Sequence, residues 1–287
     1  MARPSLLRVV IVSIVTIWGS GVPCRVDAMS IQTPPVPEKL TFTYKTVGAL
    51  QLQADVYQPT DRGLRPIVVW IHPGALIMGS RTMVPADELQ RFLRAGFVVV
   101  AIDYRLAPET KLPEIVRDVE DAHRWIRARG ATLFRGDRNR VADVGASGGA
   151  YLALLAGARV EPRLRAVVSF YGYGDVTGPW YSRPDRFFST LPRVSRAEAM
   201  RGIGPREISG APPGGDRWAF YVYCRQNGLW PREVVGLDPD LQKQRFARYS
   251  VERLITPTYP ATLLLHGDQD VDVPIAMSER IAAIFGR

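Results

Sequence analysis

The stretch that decides the fold runs from Arg140 to Gly149 and reads RVADVGASGG. Its first half has the apolar pattern of a strand, and helical spacing follows it over residues 150–158. A serine at the centre of G-x-S-x-G, between a strand and a helix, lies on a sharp turn with little room around it. The pattern predicts that Ser147 is presented at a strand end and that the backbone N–H of Gly148 can bind an anion there.

Strands and helices alternate on both sides of this turn. Apolar runs without alternation occupy residues 66–71 and 97–102, as is typical of strands buried on both faces, and residues 164–170 and 261–265 are two further buried runs. Helical spacing covers residues 85–95 and 113–129, and residues 40–57 read as a hairpin broken at Gly48. We therefore predict an α/β protein with a mostly parallel, doubly wound sheet, an N-terminal hairpin and a ligand site at the carboxyl ends of the strands.

Composition and charge exclude several classes of protein. Of the 287 residues, 46% are hydrophobic and 23% are charged, which is ordinary globular usage. Intrinsic disorder and collagen-like structure are therefore excluded. The formal charge of +9 comes from arginines scattered among acidic residues, so we predict no nucleic-acid partner.

The first residues have the pattern of a secretory signal. Arg3 and Arg8 accompany an apolar run over residues 6–18, and Ala28 stands where a signal peptidase would cut. We predict a signal peptide over residues 1–28, a mature domain over residues 29–287 and a secreted or periplasmic location. The run is shorter than the roughly 20 residues of a spanning helix, so no stable membrane span is expected, and an uncleaved anchor is the alternative. Cleavage would leave Cys224 as the lone cysteine, without an intrachain disulfide.

Residues 174–257 lose the regular period and are rich in aromatic residues, arginine, glycine and proline. An insertion of this length between core strands predicts a cap over the strand ends. Arg183 and Arg186 are candidates to hold an acidic group. The cap aromatics either line a pocket or only pack the insertion: Trp180, Tyr181, Phe187, Phe188, Trp218, Tyr221 and Trp230.

Three further motifs accompany the serine turn: His72-Pro-Gly-Ala75, Asp103-Tyr-Arg-Leu-Ala-Pro-Glu109 and His266-Gly-Asp-Gln-Asp270-Val-Asp-Val-Pro274. Together, and in this order, they resemble the α/β-hydrolase-fold esterases and lipases of the hormone-sensitive-lipase type over residues 40–287. The resemblance implies a serine hydrolase acting on a small carboxylic ester, with Ser147 as nucleophile and Asp270 as the acid. It implies no cofactor and no metal. The remaining site residues it implies are the oxyanion-hole residues Gly74, Ala75 and Gly148 and the supporting motif residues His72, Gly145 and Gly149.

The sequence departs from that pattern in two important ways. Pro73 replaces a glycine of the oxyanion loop and restricts His72. No histidine follows Asp270, whereas the triad order in this fold is serine, acid, histidine. We therefore expect a chain truncated before the family's final strand, histidine loop and helix. Residues 261–265 would then form an open edge that favours dimers or aggregation.

Three histidines are present, and we predict that none takes the place of the missing base. His72 belongs to the oxyanion loop, His123 lies in a helix and His266 ends the strand that precedes Asp270. Loss of the triad histidine in a related architecture lowers kcat by about 10⁶. The open alternatives are an ester hydrolase, a catalytically inactive binding protein on the same fold, and a peptidase or amidase.

Overall fold

The computed structural model describes residues 11–12, 39–59 and 63–286. Within these ranges, eight strands form one sheet in the order β1-β8-β7-β6-β4-β5-β3-β2. Strands β2 and β3 form an antiparallel hairpin, β3 is antiparallel to β5, and the other pairs are parallel. The strands are β1 (Ile11–Val12), β2 (Lys39–Val47), β3 (Leu50–Tyr57), β4 (Arg65–Ile71), β5 (Val98–Ile102), β6 (Gly136–Ala146), β7 (Ala166–Phe170) and β8 (Ala261–Leu265).

Three helices fill the connections of the parallel sheet, one follows β8, and the other four belong to the cap. The α-helices are α1 (Ala86–Arg94), α2 (Leu112–Phe134), α3 (Gly148–Arg159), α4 (Pro179–Ser182), α5 (Arg196–Ala199), α6 (Gly215–Asn227), α7 (Val251–Leu254) and α8 (Ala276–Phe285). The cap also has 3-10 turns at Phe188–Thr190, Met200–Gly202 and Lys243–Tyr249 and a π-helical turn at Pro231–Val235. None of the helices in the described ranges is long and apolar enough to cross a membrane.

The two faces of the sheet follow from the strand period. In β4, Ile67 and Val69 belong to the main core, which includes side chains of α2 and α3. Val68 and Trp70 point to the opposite face, where Leu89 of α1 packs against them. Both faces are buried, which explains why β4 is apolar without alternation.

The N-terminal edge of the sheet differs from the expectation. Strand β8 is not the outermost strand, because Ile11 and Val12 pair in parallel with Leu264 and Leu265. These two residues belong to the predicted signal peptide, and the rest of residues 1–28 lies outside the described residues. The expected dimer through this edge stays a prediction.

Strand β4 and helix α3 meet at glycines. A Cβ on Gly149 would lie 2.1 Å from the carbonyl oxygen of Ile71 and 2.4 Å from that of His72. A Cβ on Gly145 would lie 2.3 Å from the carbonyl oxygen of Gly149. Both glycines are therefore required by backbone contact, and this contact lets the chain turn sharply at Ser147.

We predict that Gly149→Ala destabilises the fold by about 2 kcal/mol or more, because the added methyl group meets fixed backbone oxygens. Gly204→Ala is the matched control, since a Cβ there meets nothing within 4 Å. Urea unfolding of both variants and the parent checks this. Equal unfolding midpoints for Gly149→Ala and the parent would contradict the argument.

Candidate active site

Ser147 lies on a strained turn between β6 and α3. Its φ is 51° and its ψ is −120°, a conformation that L-residues rarely adopt. Two backbone hydrogen bonds fix it: the Ser147 N–H donates to the Phe170 carbonyl at 2.9 Å, and the Tyr151 N–H donates to the Ser147 carbonyl at 3.0 Å. The Ser147 hydroxyl makes no hydrogen bond to any residue that the structure describes, and it faces a cavity.

The cavity has a volume of about 270 Å³. This is slightly below the range of sites that hold drug-sized molecules, so it suits a small ligand. Asp272 contributes the one charged side chain among the described lining residues. The lining is Pro73, Gly74, Ala75, Met78, Met83, Ser147, Tyr171, Pro213, Gly214, Trp218, Tyr221 and Asp272.

The loop after β4 faces Gly148. Three consecutive residues, Gly74, Ala75 and Leu76, have positive φ of 116°, 55° and 64°. The backbone nitrogens of Ala75 and Leu76 lie 3.1 Å from the position that a Cβ on Gly148 would take. The Gly74 carbonyl accepts from the N–H groups of Ile77 and Met78.

Among the predicted oxyanion residues, the structure therefore brings Ala75 and Gly148 together and places Gly74 on the cavity wall. The backbone nitrogen of Leu76 also faces Gly148, which the sequence did not predict. Nothing around Leu76 in the sequence indicates that a buried leucine has a left-handed backbone. No described residue accepts a hydrogen bond from the N–H of Ala75 or Gly148, so both remain available to a ligand.

Buried contacts hold the loop in place. The Trp230 indole donates to the Ala75 carbonyl at 3.1 Å, and the Ala107 N–H donates to the Leu76 carbonyl at 2.8 Å. Arg217 of α6 donates to the Ile77 carbonyl at 2.6 Å and pairs with Glu109 at 2.9 Å. The loop is thus fixed by the cap as well as by the sheet.

His72 is buried beneath this loop. Its ring stacks on Tyr104 at a centroid distance of 4.1 Å, and Nδ1 lies 2.8 Å from the Pro73 carbonyl, which can only accept. Nδ1 therefore carries the proton, while Nε2 has no partner among the described residues. Burial lowers the pKa of His72 to about 4, although the bond to Pro73 opposes the shift. The ring is a neutral structural element of the loop.

The other two histidines are also engaged away from the serine. His123 Nε2 lies 3.0 Å from Asp143 Oδ2 within the core. His266 contacts the Ser278 hydroxyl at 2.7 Å through Nδ1 and the Val273 carbonyl at 2.8 Å through Nε2. All three histidines of the printed sequence are described, and none of them hydrogen-bonds Ser147.

Asp270 lies in the loop after β8. Its Oδ1 accepts from the N–H groups of Asp272 and Val273 at 2.8 and 2.9 Å, and Oδ2 lies 3.6 Å from His266 Nε2. Burial alone would raise the pKa of Asp270, but its bonds to His266 and to these N–H groups lower it below its usual value. Asp270 is thus held as a carboxylate. Asp272, two residues further on, is the aspartate of this loop that lines the cavity.

The cap aromatics divide into two groups. Trp218 and Tyr221 line the cavity, together with Tyr171, which the sequence did not single out. The others pack mainly against each other: Tyr181 stacks on Trp230 at 4.2 Å. Arg183 forms an exposed pair with Asp240, and the arginine that reaches the site is Arg225, which bonds Asp272.

In the described ranges no group of histidine, cysteine, aspartate and glutamate is arranged to hold a metal ion. Ser147 presents a hydroxyl beside the free backbone N–H groups of Ala75 and Gly148. A strand-turn-helix serine of this kind is typical of the α/β-hydrolase fold.

Comparisons with known proteins agree with this class. Residues 54–182 match the BD-FAE family. An α/β-hydrolase superfamily protein of Enterococcus faecalis superposes with a TM-score of 0.69 and 22% identity, over 87% of this chain and 86% of that one. A protein of unknown function from Staphylococcus aureus superposes with a TM-score of 0.72 and 21% identity, over 85% of each chain. An esterase of Thermogutta terrifontis superposes with a TM-score of 0.57 and 20% identity, over 88% of this chain and 78% of that one.

Curated relatives match more strongly in sequence but over a small part of their length. A non-reducing polyketide synthase of Penicillium rubens is 36% identical over 174 residues, which are 53% of this chain and 7% of that protein. One of Penicillium brasilianum is 36% identical over 215 residues, 69% of this chain and 9% of that protein. Residues 54–182 thus resemble an esterase family, and the solved structures share the α/β-hydrolase fold with this chain, which confirms the predicted fold.

We predict that His72 makes the stability depend on pH. The unfolded imidazole takes up a proton near pH 6.5, whereas the folded one does so only near pH 4. The contribution of His72 to the free energy of unfolding is therefore complete above pH 6.5. It falls by about 1.4 kcal/mol per pH unit as the pH is lowered toward 4. In His72→Asn, whose amide can still donate to Pro73, urea unfolding at pH 7, 5.5 and 4.5 should show a slope smaller by about one proton. Identical slopes would contradict the prediction.

Proposed function

We propose that this chain hydrolyses small carboxylic esters through an acyl-enzyme on Ser147. The observation that carries the proposal is the Ser147 turn, which aims an unbonded hydroxyl into a small cavity beside the free N–H groups of Ala75 and Gly148. The match of residues 54–182 to the BD-FAE family supports the same chemistry.

In the proposed reaction, Ser147 Oγ attacks the ester carbonyl carbon and loses its proton. The carbonyl oxygen becomes an oxyanion, which accepts hydrogen bonds from the N–H groups of Ala75 and Gly148, with Gly74 as the further donor that the resemblance implies. Collapse breaks the bond to the alcohol, which leaves with a proton. Water then attacks the acyl-enzyme, and the acid and free Ser147 are released.

The proton of Ser147 needs an acceptor, and here the site differs from a complete triad. None of the three histidines hydrogen-bonds Ser147. Asp270 accepts hydrogen bonds from the backbone and lies 3.6 Å from His266. Water in the cavity therefore takes the proton in this proposal. The rate expected is far below that of a complete triad, since loss of the triad histidine lowers kcat by about 10⁶.

A second candidate function is ligand binding without turnover. It is favoured by the same observation that the histidines are engaged elsewhere. A peptidase or amidase remains the third alternative, but an amide has a poorer leaving group and needs the missing acid-base partner more than an ester does.

We predict that Ser147→Ala lowers the hydrolysis of p-nitrophenyl butyrate at least tenfold, because the acyl acceptor is removed. Ser189→Ala, on an exposed position of the cap, is the matched control and should keep the parent's rate. The matching p-nitroanilide should react at least 100-fold more slowly than the ester. Equal rates for the parent and Ser147→Ala would reject the hydrolase, and saturable binding of the unreacted ester would then support the second candidate.

A further inference from the structure

Arg225 is a fully buried arginine next to the Ser147 cavity. Its guanidinium lies over the rings of Phe188, Tyr181, Trp180 and Tyr221, with distances to the ring centroids of 4.5, 5.0, 5.6 and 5.7 Å. The rings exclude water, so the charge must be balanced by protein groups.

Two carboxylates balance this one guanidinium. Arg225 bonds Asp185 Oδ2 at 2.7 Å on one side and Asp272 Oδ1 on the other. It also donates a hydrogen bond to the Tyr221 hydroxyl at 2.7 Å. That hydroxyl in turn donates a hydrogen bond to Asp272 Oδ1 at 2.6 Å. The cluster of Arg225, Asp185 and Asp272 carries one net negative charge.

The excess charge faces the cavity. Every side-chain hydrogen bond to Asp272 ends on Oδ1, so Oδ2 accepts none from the described residues. The Asp272 side chain keeps 39% of its surface exposed. Burial raises the pKa of Asp272, although Arg225 and Tyr221 oppose the rise. The open oxygen Oδ2 can therefore be reached from the cavity and can take a second positive partner.

Aromatic side chains line the same cavity as Asp272. Trp218 and Tyr221 of α6 line the cavity with ring centroids 5.6 Å apart, and Tyr171 lines it as well. Trp218 and Tyr171 remain 42% and 40% exposed. Ring faces beside a carboxylate are the combination that binds an ammonium ion, since both attract positive charge and the rings tolerate a desolvated cation.

We propose that the Ser147 cavity binds organic ammonium groups through Asp272 and the Trp218 ring, and so selects esters that carry a positive charge. The selectivity rests on the proposed ester hydrolysis, while the binding of the cation stands independently of it. Asp272 acts here as a specificity-determining residue and takes no part in bond breaking. Arg225 and Tyr221 hold it with one oxygen open to the ligand.

The first test measures binding to the parent protein by calorimetry. Choline and 3,3-dimethylbutan-1-ol have nearly the same shape and differ in charge. We expect choline to bind at least tenfold more tightly than the alcohol. Equal affinity, or tighter binding of the alcohol, would overturn the proposal whatever the catalytic result. Because this comparison uses the unaltered chain, it does not depend on any variant folding.

The second test measures kcat/KM for acetylcholine and for 3,3-dimethylbutyl acetate. The ratio of the two values should fall at least tenfold in Asp272→Asn, which keeps the acceptor for Arg225 and Tyr221 but removes the charge. Asp268→Asn removes a charge from an exposed position of the same loop and should leave the ratio unchanged. An unchanged ratio in Asp272→Asn would overturn the assignment.

The two tests separate this inference from the proposed function. Hydrolysis of the neutral ester without any preference for the cation would support the esterase and reject the ammonium site. Tight, charge-selective binding of choline without hydrolysis of either ester would support the ammonium site and reject the esterase.

Discussion

The close contact between the start of α3 and the end of β4 is the constraint on which the site depends. Gly149 lies against the carbonyl oxygens of Ile71 and His72, with no space for a side chain. The chain can reach this position only by turning within Ser147, whose φ of 51° records the strain. The same contact puts the free N–H of Gly148 beside the loop after β4. One packing requirement thus produces both the presented hydroxyl and the anion-binding backbone.

Helix α6 is the second organising element, because two buried arginines on it reach two different loops. Arg217 bonds the Ile77 carbonyl in the loop after β4 and pairs with Glu109. Arg225 bonds Asp272 in the loop after β8. Buried ion pairs of this kind contribute little net stability, since desolvation offsets their attraction, but removal of one partner is costly. Their effect here is geometric: they fix the cap relative to both loops that form the cavity.

The central strands could be predicted because β4 and β5 are buried on both faces. Their apolar runs stand out from the rest of the chain, and the predicted bounds of β8, residues 261–265, coincide with the observed ones. The predicted strand at Arg140 begins four residues earlier, at Gly136, because its first residues are polar and exposed. Ile11 and Val12 lie within the predicted signal peptide and also pair with β8, and the signal peptide stays a prediction.

The site was less accessible from sequence. Ser147, Ala75 and Gly148 belong to a local motif, and the structure brings them together at the cavity. Asp272 and Arg225 are 47 residues apart, and their meeting depends on how an irregular cap folds over the sheet. No periodic signal predicts such a contact. The positive φ of Leu76 was equally hidden, because it is imposed by the packing of its loop.

The most direct test of the account is covalent labelling by a small fluorophosphonate, located by mass spectrometry of the digested protein. Attack on phosphorus requires the same hydroxyl and the same oxyanion contacts as attack on an ester, but no second step. The account predicts one adduct per chain, on the peptide that contains Ser147, and none after Ser147→Ala. Absence of an adduct on the folded parent, or an adduct at another residue, would contradict the claim that Ser147 is the nucleophile.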